Sequence, residues 1–293
     1  MKKPNLNMII GASGLVGSAM DWCSKERGHK TMGTRLQERA SEIEPLDVTE
    51  RTRVMKRIRD LEPDNIFFCA GSNDIEWMES HPDESYAVNV LGLKNVIDAA
   101  ARVNARLVFI SSAYIFDGSA GPYAESDTPN PGCVFGWHKL LGEHLIATSD
   151  LEHLIIRTSN VFGWDRLNKN PVLEVIQLLK NERTVSLPED IVETPIYSRA
   201  LADAVFDLVE SGEKGVYNIA GNEAVSLYRF GKNIATVFGL ETSHIKPVKA
   251  RNMKTKAHRP RNACLTNKKA RKVIATTLSS TQVGLKQMLK DEL

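Results

Sequence analysis

The sequence lacks the features of several specialised protein classes. Its four cysteines, at positions 23, 69, 133 and 264, are far apart and include no Cys-x-x-Cys pair. A zinc or redox motif and a dense disulfide framework are therefore not expected, and a reducing compartment fits best. The seven histidines show no His-Glu-x-x-His or other ligand spacing, so no catalytic metal is predicted. Internal repeats and low-complexity tracts are also absent.

Neither sign of charge dominates the chain. It has 38 Lys and Arg against 36 Asp and Glu, a net charge of +2. Such a balance gives no general attraction to nucleic acid or to an anionic membrane, so a small-molecule partner is expected. A chain of 293 residues that is 42% hydrophobic can bury a full core in one large or two modest domains.

Both ends of the sequence resemble targeting signals that we do not expect to act as such. Lys2 and Lys3 precede an apolar run, as in a secretory leader, but the glycines of that run fall where a strand-turn-helix needs them. Residues 290–293 spell KDEL, a retention address that a receptor reads only on proteins already inside the endoplasmic reticulum. We expect this KDEL to be coincidental and the protein to be cytoplasmic.

Short apolar or β-branched runs alternate with segments of helical periodicity, which predicts an α/β fold with a Rossmann-type doubly wound parallel sheet. The predicted strands are Leu6 to Gly11, Lys30 to Thr34, Asn65 to Ala70, Arg106 to Ser112 and His153 to Thr158. The predicted helices are Ser13 to Arg27, Arg51 to Leu61, Pro82 to Val103 and Cys133 to Thr148.

The regular alternation weakens in the second half, which predicts a smaller C-terminal region that binds substrate. We expect residues 1–164 to form a dinucleotide-binding domain, with residues 190–212 returning to it. Residues 165–189 and 213–293 are then the substrate-binding region. Within it, the stretch NEAVSLYRFGKNIATVFG predicts a helix with Ser226 as its N-cap, in a lid over the substrate.

The strongest chemical motif follows the first predicted strand. It consists of Gly11, Ala12, Ser13, Gly14, Leu15, Val16 and Gly17. The first glycine permits a tight turn, the second lets a pyrophosphate approach the backbone, and the third lets helix and strand pack closely. The same spacing can be no more than a flexible turn, but a strand before it and a helix after it favour a dinucleotide.

The second predicted strand ends at Thr34 and Arg35, where an NAD site usually has an acidic residue for the ribose diol. Arg35 suits a 2′-phosphate and favours NADP(H), although an arginine in a surface loop can be merely solvated, so NAD(H) stays open. Asp47 could accept a hydrogen bond from adenine or cap the following helix, or do both. Other expected cofactor contacts are Val48, Cys69, Ala70, Gly71, Ser111 and Thr158.

Several motifs resemble those of the extended short-chain dehydrogenase/reductases, and the dTDP-4-dehydrorhamnose reductases in particular. Besides the glycine turn, the stretches are LDVTE, FISSAYIFDG, GPYAESDTPNP, GCVFGWHKLLGE, IIRTSNVFG and RPRNACL, in that order. The resemblance runs from Met8 to about Lys269. It implies NADPH-dependent reduction of the 4-keto group of a nucleotide-linked 6-deoxyhexose, with a catalytic set at Ser112, Phe135 and Lys139.

Phe135 stands where the resemblance implies a tyrosine. In such reductases the tyrosine protonates the alkoxide formed by hydride transfer, the lysine lowers the phenol pKa and holds the nicotinamide ribose, and the Ser/Thr hydroxyl polarises the carbonyl. Positions 135 and 139 lie one helical turn apart and face the same way. A phenyl ring has no proton to give, and loss of a general acid typically slows a reaction by about 10²- to 10⁴-fold.

Four explanations of Phe135 are open. It can be an engineered Tyr-to-Phe change in a working reductase. It can mark a natural NADP-binding regulatory or interaction subunit, because the chain also resembles the methionine adenosyltransferase regulatory β subunits, which act as binding partners. Another acid can replace the phenol, with Tyr114 and His138 as candidates, although helical geometry turns His138 away from Lys139. The chemistry can be epimerisation or dehydration, for which no separate base is evident. Tyr228 and Lys232 repeat the Tyr-x-x-x-Lys spacing by chance, since they lie in the C-terminal region.

Candidate substrate contacts are Ser72, Glu76, Ala113, Tyr114, Asn160 and Arg261. Glu76 could face a sugar hydroxyl or simply be a solvated helix start. Arg259 and Arg261 could grip a nucleotide diphosphate or form a basic surface turn, and the resemblance favours the first for Arg261. Asn160 replaces an aromatic residue that is common in these reductases. We expect a homodimer or, for a regulatory subunit, a complex with a partner enzyme.

Overall fold

The computed structural model describes residues 5–36, 44–165 and 170–291. Lys2 and Lys3 of the leader-like start, and Glu292 and Leu293 of the KDEL sequence, lie outside these ranges. The strands are β1 Leu6–Ile10, β2 Lys30–Arg35, β3 Glu44–Pro45, β4 Asn65–Phe68, β5 Arg106–Ser112, β6 His153–Thr158, β7 Val161–Phe162, β8 Val185–Pro188, β9 Val192–Glu193, β10 Ile196–Tyr197, β11 Gly215–Asn218, β12 Val225–Ser226 and β13 Ile245–Val248.

Seven of these strands form one parallel sheet in the order β11-β6-β5-β4-β1-β2-β3. The order reverses between β1 and β4, which is the switch point of a doubly wound fold. The helices are α1 Leu15–Glu26, α2 Arg51–Leu61, α3 Ile75–Ser80, α4 Pro82–Tyr86, α5 Gly92–Val103, α6 Val134–Ala147, α7 Pro171–Lys180, α8 Ser198–Glu210, α9 Leu227–Val237 and α10 Thr281–Lys290. The predicted α/β Rossmann-type class is confirmed.

Helices cover both faces of the sheet. One apolar cluster packs α1 and α8 against one face, and a second packs α2 and α5 against the other. Every residue of β5 is buried, as expected for a central parallel strand that is covered on both sides. The predicted strands and helices therefore appear where the sequence pattern put them, within a few residues at each end.

One predicted helix has a wider turn in it. The segment predicted as a single helix from Pro82 to Val103 is divided into α4 and α5 by a π-helical stretch, Ala87–Leu91. Asn89 lies in this stretch, and its side-chain amide accepts from the Ser72 backbone N–H at 2.8 Å and donates to the Ser72 carbonyl at 2.9 Å. Asn89 therefore braces the backbone that follows β4.

The C-terminal region packs around α7, α9 and α10, which share a third apolar cluster. Ser226 caps α9, as predicted, because its side chain accepts from the Arg229 backbone N–H at 3.2 Å. The main sheet also takes strand β11 from beyond position 212. No helix in the described ranges is both long and apolar enough to cross a bilayer. All four cysteines are free thiols.

Candidate functional site

The glycine turn lies between β1 and α1, at the carboxyl edge of the sheet. Gly11 has a φ of 91°, and a Cβ there would lie 2.7 Å from the Ala70 backbone nitrogen. A Cβ on Gly17 would lie 2.1 Å from the Gly11 carbonyl oxygen. The fold itself therefore requires glycine at both positions, one for the turn and one for close packing of helix on strand.

Gly14 differs from the other two glycines. Its φ is −82°, and the nearest atom to a Cβ built there is 3.6 Å away, so neither conformation nor packing requires glycine. Gly14 is also the N-cap of α1, and no side chain caps this helix. The first N–H groups of a helix have no intrahelical partner and attract anions. The open face of Gly14 fits a pyrophosphate group lying against this helix start.

Arg35, at the end of β2, is half-buried, and its buried Nε has no hydrogen-bond partner among the residues that the structure describes. The neighbouring Thr34 hydroxyl is likewise buried, with no partner in the same described ranges. Buried polar groups are normally paired, so this end of β2 fits a bound polar group such as a ribose phosphate. The site residues therefore fit a dinucleotide at both the pyrophosphate and the adenosine end.

Asp47 does not cap the following helix. Its carboxylate accepts from the Thr49 backbone N–H at 2.8 Å and from the Thr49 hydroxyl at 2.7 Å, whereas the N-cap position of α2 is Glu50, which makes no capping hydrogen bond. The capping alternative is wrong because the turn at 47–49 places Asp47 three residues before the helix cap. Val48 is buried against Gly92, at the start of α5.

Phe135 and Lys139 lie on adjacent turns of α6 and face the end of β5. The Lys139 Nζ donates to the Ile110 carbonyl at 2.8 Å and lies 5.7 Å from the centroid of the Phe135 ring. Burial lowers the pKa of Lys139 to about 8. Ser112 ends β5, and its hydroxyl oxygen accepts from the Tyr114 backbone N–H at 3.2 Å, which leaves its proton for a further acceptor. The three predicted catalytic positions are thus placed at one sheet edge.

Two contacts fix α6 against this edge. A Cβ on Gly136 would lie 2.1 Å from the Tyr114 carbonyl, so the helix start packs directly on the chain that follows β5. The Glu79 carboxylate accepts from the Val134 backbone N–H at 3.0 Å, which satisfies one of the free donors at the helix start. Phe135 therefore has little freedom to move relative to Ser112.

A buried ion pair holds the far half of α6. Glu143 pairs with Arg157 of β6 at 2.7 Å and accepts from the Ser111 hydroxyl at 2.5 Å, and all three side chains are buried. The Ser111 hydroxyl, predicted to contact cofactor, is thus engaged within the protein. Thr158, also predicted to contact cofactor, ends β6 with its hydroxyl buried and unpaired.

Five other predicted contacts lie near this edge. Cys69, Ala70 and Gly71 follow β4, and Cys69 is close enough to Lys139 for the two groups to interact electrostatically. Ala113 is fully buried directly after β5. The backbone of Ser72 is held by Asn89, as described above.

The charged residues predicted to bind substrate all have partners within the protein. Glu76 accepts from the Lys256 backbone N–H at 2.8 Å and pairs with Arg259 at 3.3 Å. It is therefore neither a free sugar ligand nor a merely solvated helix start. Arg261 pairs with Asp190 and is about half exposed.

The remaining candidates contact other side chains. His138 is buried edge-on against Tyr86, with ring centroids 5.7 Å apart, and burial lowers its pKa. Tyr228 and Lys232 contact each other on α9, in the C-terminal region.

Comparison with known proteins assigns the chain to a family. The sequence model of the RmlD substrate binding domain matches residues 6–293. The chain belongs to this family. Similar proteins include methionine adenosyltransferase 2 subunit beta of Bos taurus, 28% identical over 98% of this chain and 88% of that protein. The dTDP-4-dehydrorhamnose reductase of Aggregatibacter actinomycetemcomitans is 28% identical over 96% of this chain and 97% of that protein.

A solved structure shows the same fold around a cofactor. The dTDP-4-dehydrorhamnose reductase of Bacillus anthracis str. Ames, in complex with NADP, matches with a TM-score of 0.91 over 99% of this chain and 100% of that chain, at 24% identity. This similarity confirms the fold. The family match and the two relatives confirm the predicted resemblance to the reductases and to the adenosyltransferase subunits.

One residue of this RmlD-family chain was not anticipated from its sequence. Glu193, in β9, is 3% exposed, and its two oxygens accept from the Tyr114 hydroxyl at 3.3 Å and from the Asn160 amide at 2.6 Å. The available signal was a lone carboxylate within the otherwise apolar run IVETPIY. Tyr114 and Asn160, both predicted to bind substrate, are brought together by this side chain.

Proposed function

We propose that this chain reduces a keto group on a nucleotide-activated deoxysugar with NADPH. The proposal is carried by the position of Lys139, which lies beside residue 135 and the Ser112 strand end, on the same sheet edge as the glycine turn. Family membership supports it, and so does the similarity to a dTDP-4-dehydrorhamnose reductase. The nucleotide and the sugar stereochemistry are left open.

The roles of the residues follow from their positions. NADPH, when bound, supplies hydride. The start of α1 at Gly14 would hold its pyrophosphate, Arg35 its 2′-phosphate, and Lys139 the hydroxyls of its nicotinamide ribose. The free proton of the Ser112 hydroxyl would polarise the substrate carbonyl. Phe135 leaves the developing alkoxide without the phenol that usually protonates it.

The test is the restoration of that phenol. With NADPH and a nucleotide-linked 4-keto-6-deoxyhexose, Phe135→Tyr should raise the turnover rate by about 10²- to 10⁴-fold, because it returns a general acid beside Lys139. The measurement is ketone-dependent loss of NADPH absorbance. Phe238→Tyr, a half-buried position that contacts Trp164 in the C-terminal region, is the matched control and should change nothing. Silence of Phe135→Tyr toward every nucleotide keto-sugar tried would overturn the proposal.

A second candidate is a regulatory subunit that binds NADP and acts on a partner enzyme. Phe135 favours it, since a chain that performs no proton transfer needs no phenol, and so does the similarity to methionine adenosyltransferase 2 subunit beta. Such a subunit would stay inactive toward keto-sugars after Phe135→Tyr and would change the activity of the enzyme it binds.

We also propose a reducing, cytoplasmic location and self-association. Four free thiols support the first. The second is supported by exposed apolar side chains on α6 and on the segment that joins α4 to α5, which would suit a second copy of the chain. The division into a dinucleotide-binding domain and a substrate-binding region stays a proposal.

A further inference from the structure

The phenyl ring of Phe135 has a phenol directly beside it. The rings of Tyr114 and Phe135 meet edge-on with centroids 5.9 Å apart. The Tyr114 backbone is fixed from two sides, because its N–H donates to Ser112 and its carbonyl packs against Gly136. A hydroxyl-bearing ring is therefore held next to the position from which the usual acid would act.

Behind this phenol lies a carboxyl group with almost no access to solvent. The Tyr114 hydroxyl donates to Glu193 Oε1 at 3.3 Å, and the other oxygen, Oε2, accepts from the Asn160 amide at 2.6 Å. Asn160 has a φ of 39°, a left-handed conformation that asparagine tolerates better than most residues. The local backbone thus holds an amide toward the carboxyl, and the phenol lies between the carboxyl and Phe135.

The surroundings raise the pKa of both groups. Burial raises the pKa of Glu193, opposed by its hydrogen bonds from Asn160 and Tyr114 and by the Arg259 guanidinium. Burial also raises the pKa of Tyr114, with a further contribution from Glu193, and the Arg259 guanidinium opposes this rise as well. The other titratable group facing Glu193 is Cys264, whose own pKa is raised to about 11 by burial and then by Glu193, so it stays a neutral thiol near pH 7.

We propose that the Tyr114 hydroxyl, backed by the Glu193 carboxyl, donates the proton that the missing phenol at position 135 would have given. This rests on the proposed reductase function. The NADPH hydride forms a new C–H bond at the carbonyl carbon, the C=O π pair moves to oxygen, and the cofactor is oxidised as the ketone is reduced. For the transfer, the Tyr114 O–H turns from Glu193 to the alkoxide oxygen and gives up its proton, and the protonated Glu193 then donates its proton to the Tyr114 oxygen. Glu193 is reprotonated from solvent before the next turnover.

His138, the other candidate acid, is a weaker donor. Its ring lies against Tyr86, and burial lowers its pKa, which favours the neutral form near pH 7. Tyr114 is therefore the acid that the geometry favours, with Glu193 as the residue that reloads it.

The test is a double-mutant cycle between positions 114 and 135. Single-turnover reduction is measured at stoichiometric enzyme for the parent, Tyr114→Phe, Phe135→Tyr and the double variant. Tyr114→Phe should slow the parent by about 10²-fold, since it removes the remaining general acid. In the Phe135→Tyr background, Tyr114→Phe should slow the reaction by a much smaller factor, because the restored phenol supplies the proton. Tyr228→Phe on α9 is the control.

If Tyr114→Phe slowed the reaction by the same factor in both backgrounds, Tyr114 would only bind substrate. That result would overturn the inference while leaving the reductase function intact. A parent with no turnover beside an active Phe135→Tyr variant would do the same. An inactive Phe135→Tyr variant would overturn both the proposed reductase function and this inference.

The pH profile of turnover and the infrared spectrum both test the role of Glu193, because a purely structural role would change neither. Turnover of the parent should fall as pH rises through the raised Glu193 pKa, because the carboxyl proton is lost there. Glu193→Gln should be slower and lack that fall, and in the Phe135→Tyr background it should leave the pH profile unchanged. Without cofactor, the infrared difference between parent and Glu193→Gln at neutral pH should contain a protonated-carboxyl band. Absence of that band, or a parent profile unaltered by Glu193→Gln, overturns the relay.

Discussion

At the scale of single residues, we propose that Arg35 selects the coenzyme. Its buried Nε has no partner within the described chain, so a 2′-phosphate would satisfy it. We expect Arg35→Ala to weaken NADPH binding by about tenfold or more, because a hydrogen bond to a charged group contributes about 1.5–3 kcal/mol. NADH binding should be unchanged. Fluorescence titration of both coenzymes measures the difference.

Arg53→Ala is the matched control for Arg35, because Arg53 is an exposed arginine on α2 that pairs with Glu50. It should alter neither affinity. Equal weakening of NADPH and NADH by Arg35→Ala would mean that Arg35 supports the fold of this edge and does not select the coenzyme.

The sequence predicts residues that act within one short motif, and it misses those that depend on distant pairing. Lys139 was predicted to lie beside position 135 from helical spacing alone, and the structure places it there. Glu193 is 79 residues from Tyr114 in sequence, and Glu76 is 183 residues from Arg259. Local patterns carry no information on such partners, so the paired state of these charges required the fold.

At the scale of elements, we expect two glycines in the turn between β1 and α1 to have different roles. Gly17 is needed for folding, and Gly14 is needed for coenzyme binding. A Cβ at position 17 would collide with the Gly11 carbonyl, whereas one at position 14 has room. We expect Gly17→Ala to lower the free energy of unfolding by about 1–3 kcal/mol or more, as overpacking does. Gly14→Ala should fold normally but bind NADPH at least about tenfold more weakly, because its methyl group meets the pyrophosphate.

Urea unfolding and coenzyme titration on both variants separate the two effects. Each variant serves as the control for the other, since the substitution is the same and the positions lie three residues apart. A Gly14→Ala variant that is as destabilised as Gly17→Ala, or one that keeps full affinity, would contradict this division of roles.

Strands and helices were predictable from the sequence where the periodic spacing of apolar residues continued without interruption. The five inner strands and the four helices predicted among them follow the alternation of apolar runs, because burial on both faces leaves little choice of residue. The π-helical stretch was not predictable, since its sequence, AVNVL, has the composition of an ordinary helix. It accompanies the contact between Asn89 and the Ser72 backbone, which is a tertiary interaction.

At the scale of the whole molecule, an apolar surface suggests that two copies associate. Trp137 is 51% exposed and Leu141 38% exposed, one turn apart on α6, and Leu91 on the neighbouring segment is 45% exposed. We expect a dimer at micromolar concentration that the double change Trp137→Glu with Leu141→Glu converts to monomer, because two charges cannot be buried unpaired in an apolar interface. Analytical ultracentrifugation measures the mass.

Val283→Glu is the control for this surface, since Val283 is equally exposed at 45% but lies on α10. It should leave the mass unchanged. A parent that is already monomeric, or a double variant that stays dimeric, would rule out this surface as the contact. The sequence could not indicate it, because exposure depends on which helix faces the fold leaves uncovered.

Arg259 belongs to two charge systems at once. It pairs with Glu76, and its charge also opposes the rise that burial causes in the pKa of Glu193. An anion that drew this guanidinium outward would weaken its hold on Glu193, and the carboxyl would then keep its proton more firmly. A diphosphate group bound at Arg259 would thus change the protonation of a buried carboxyl that the anion itself does not touch.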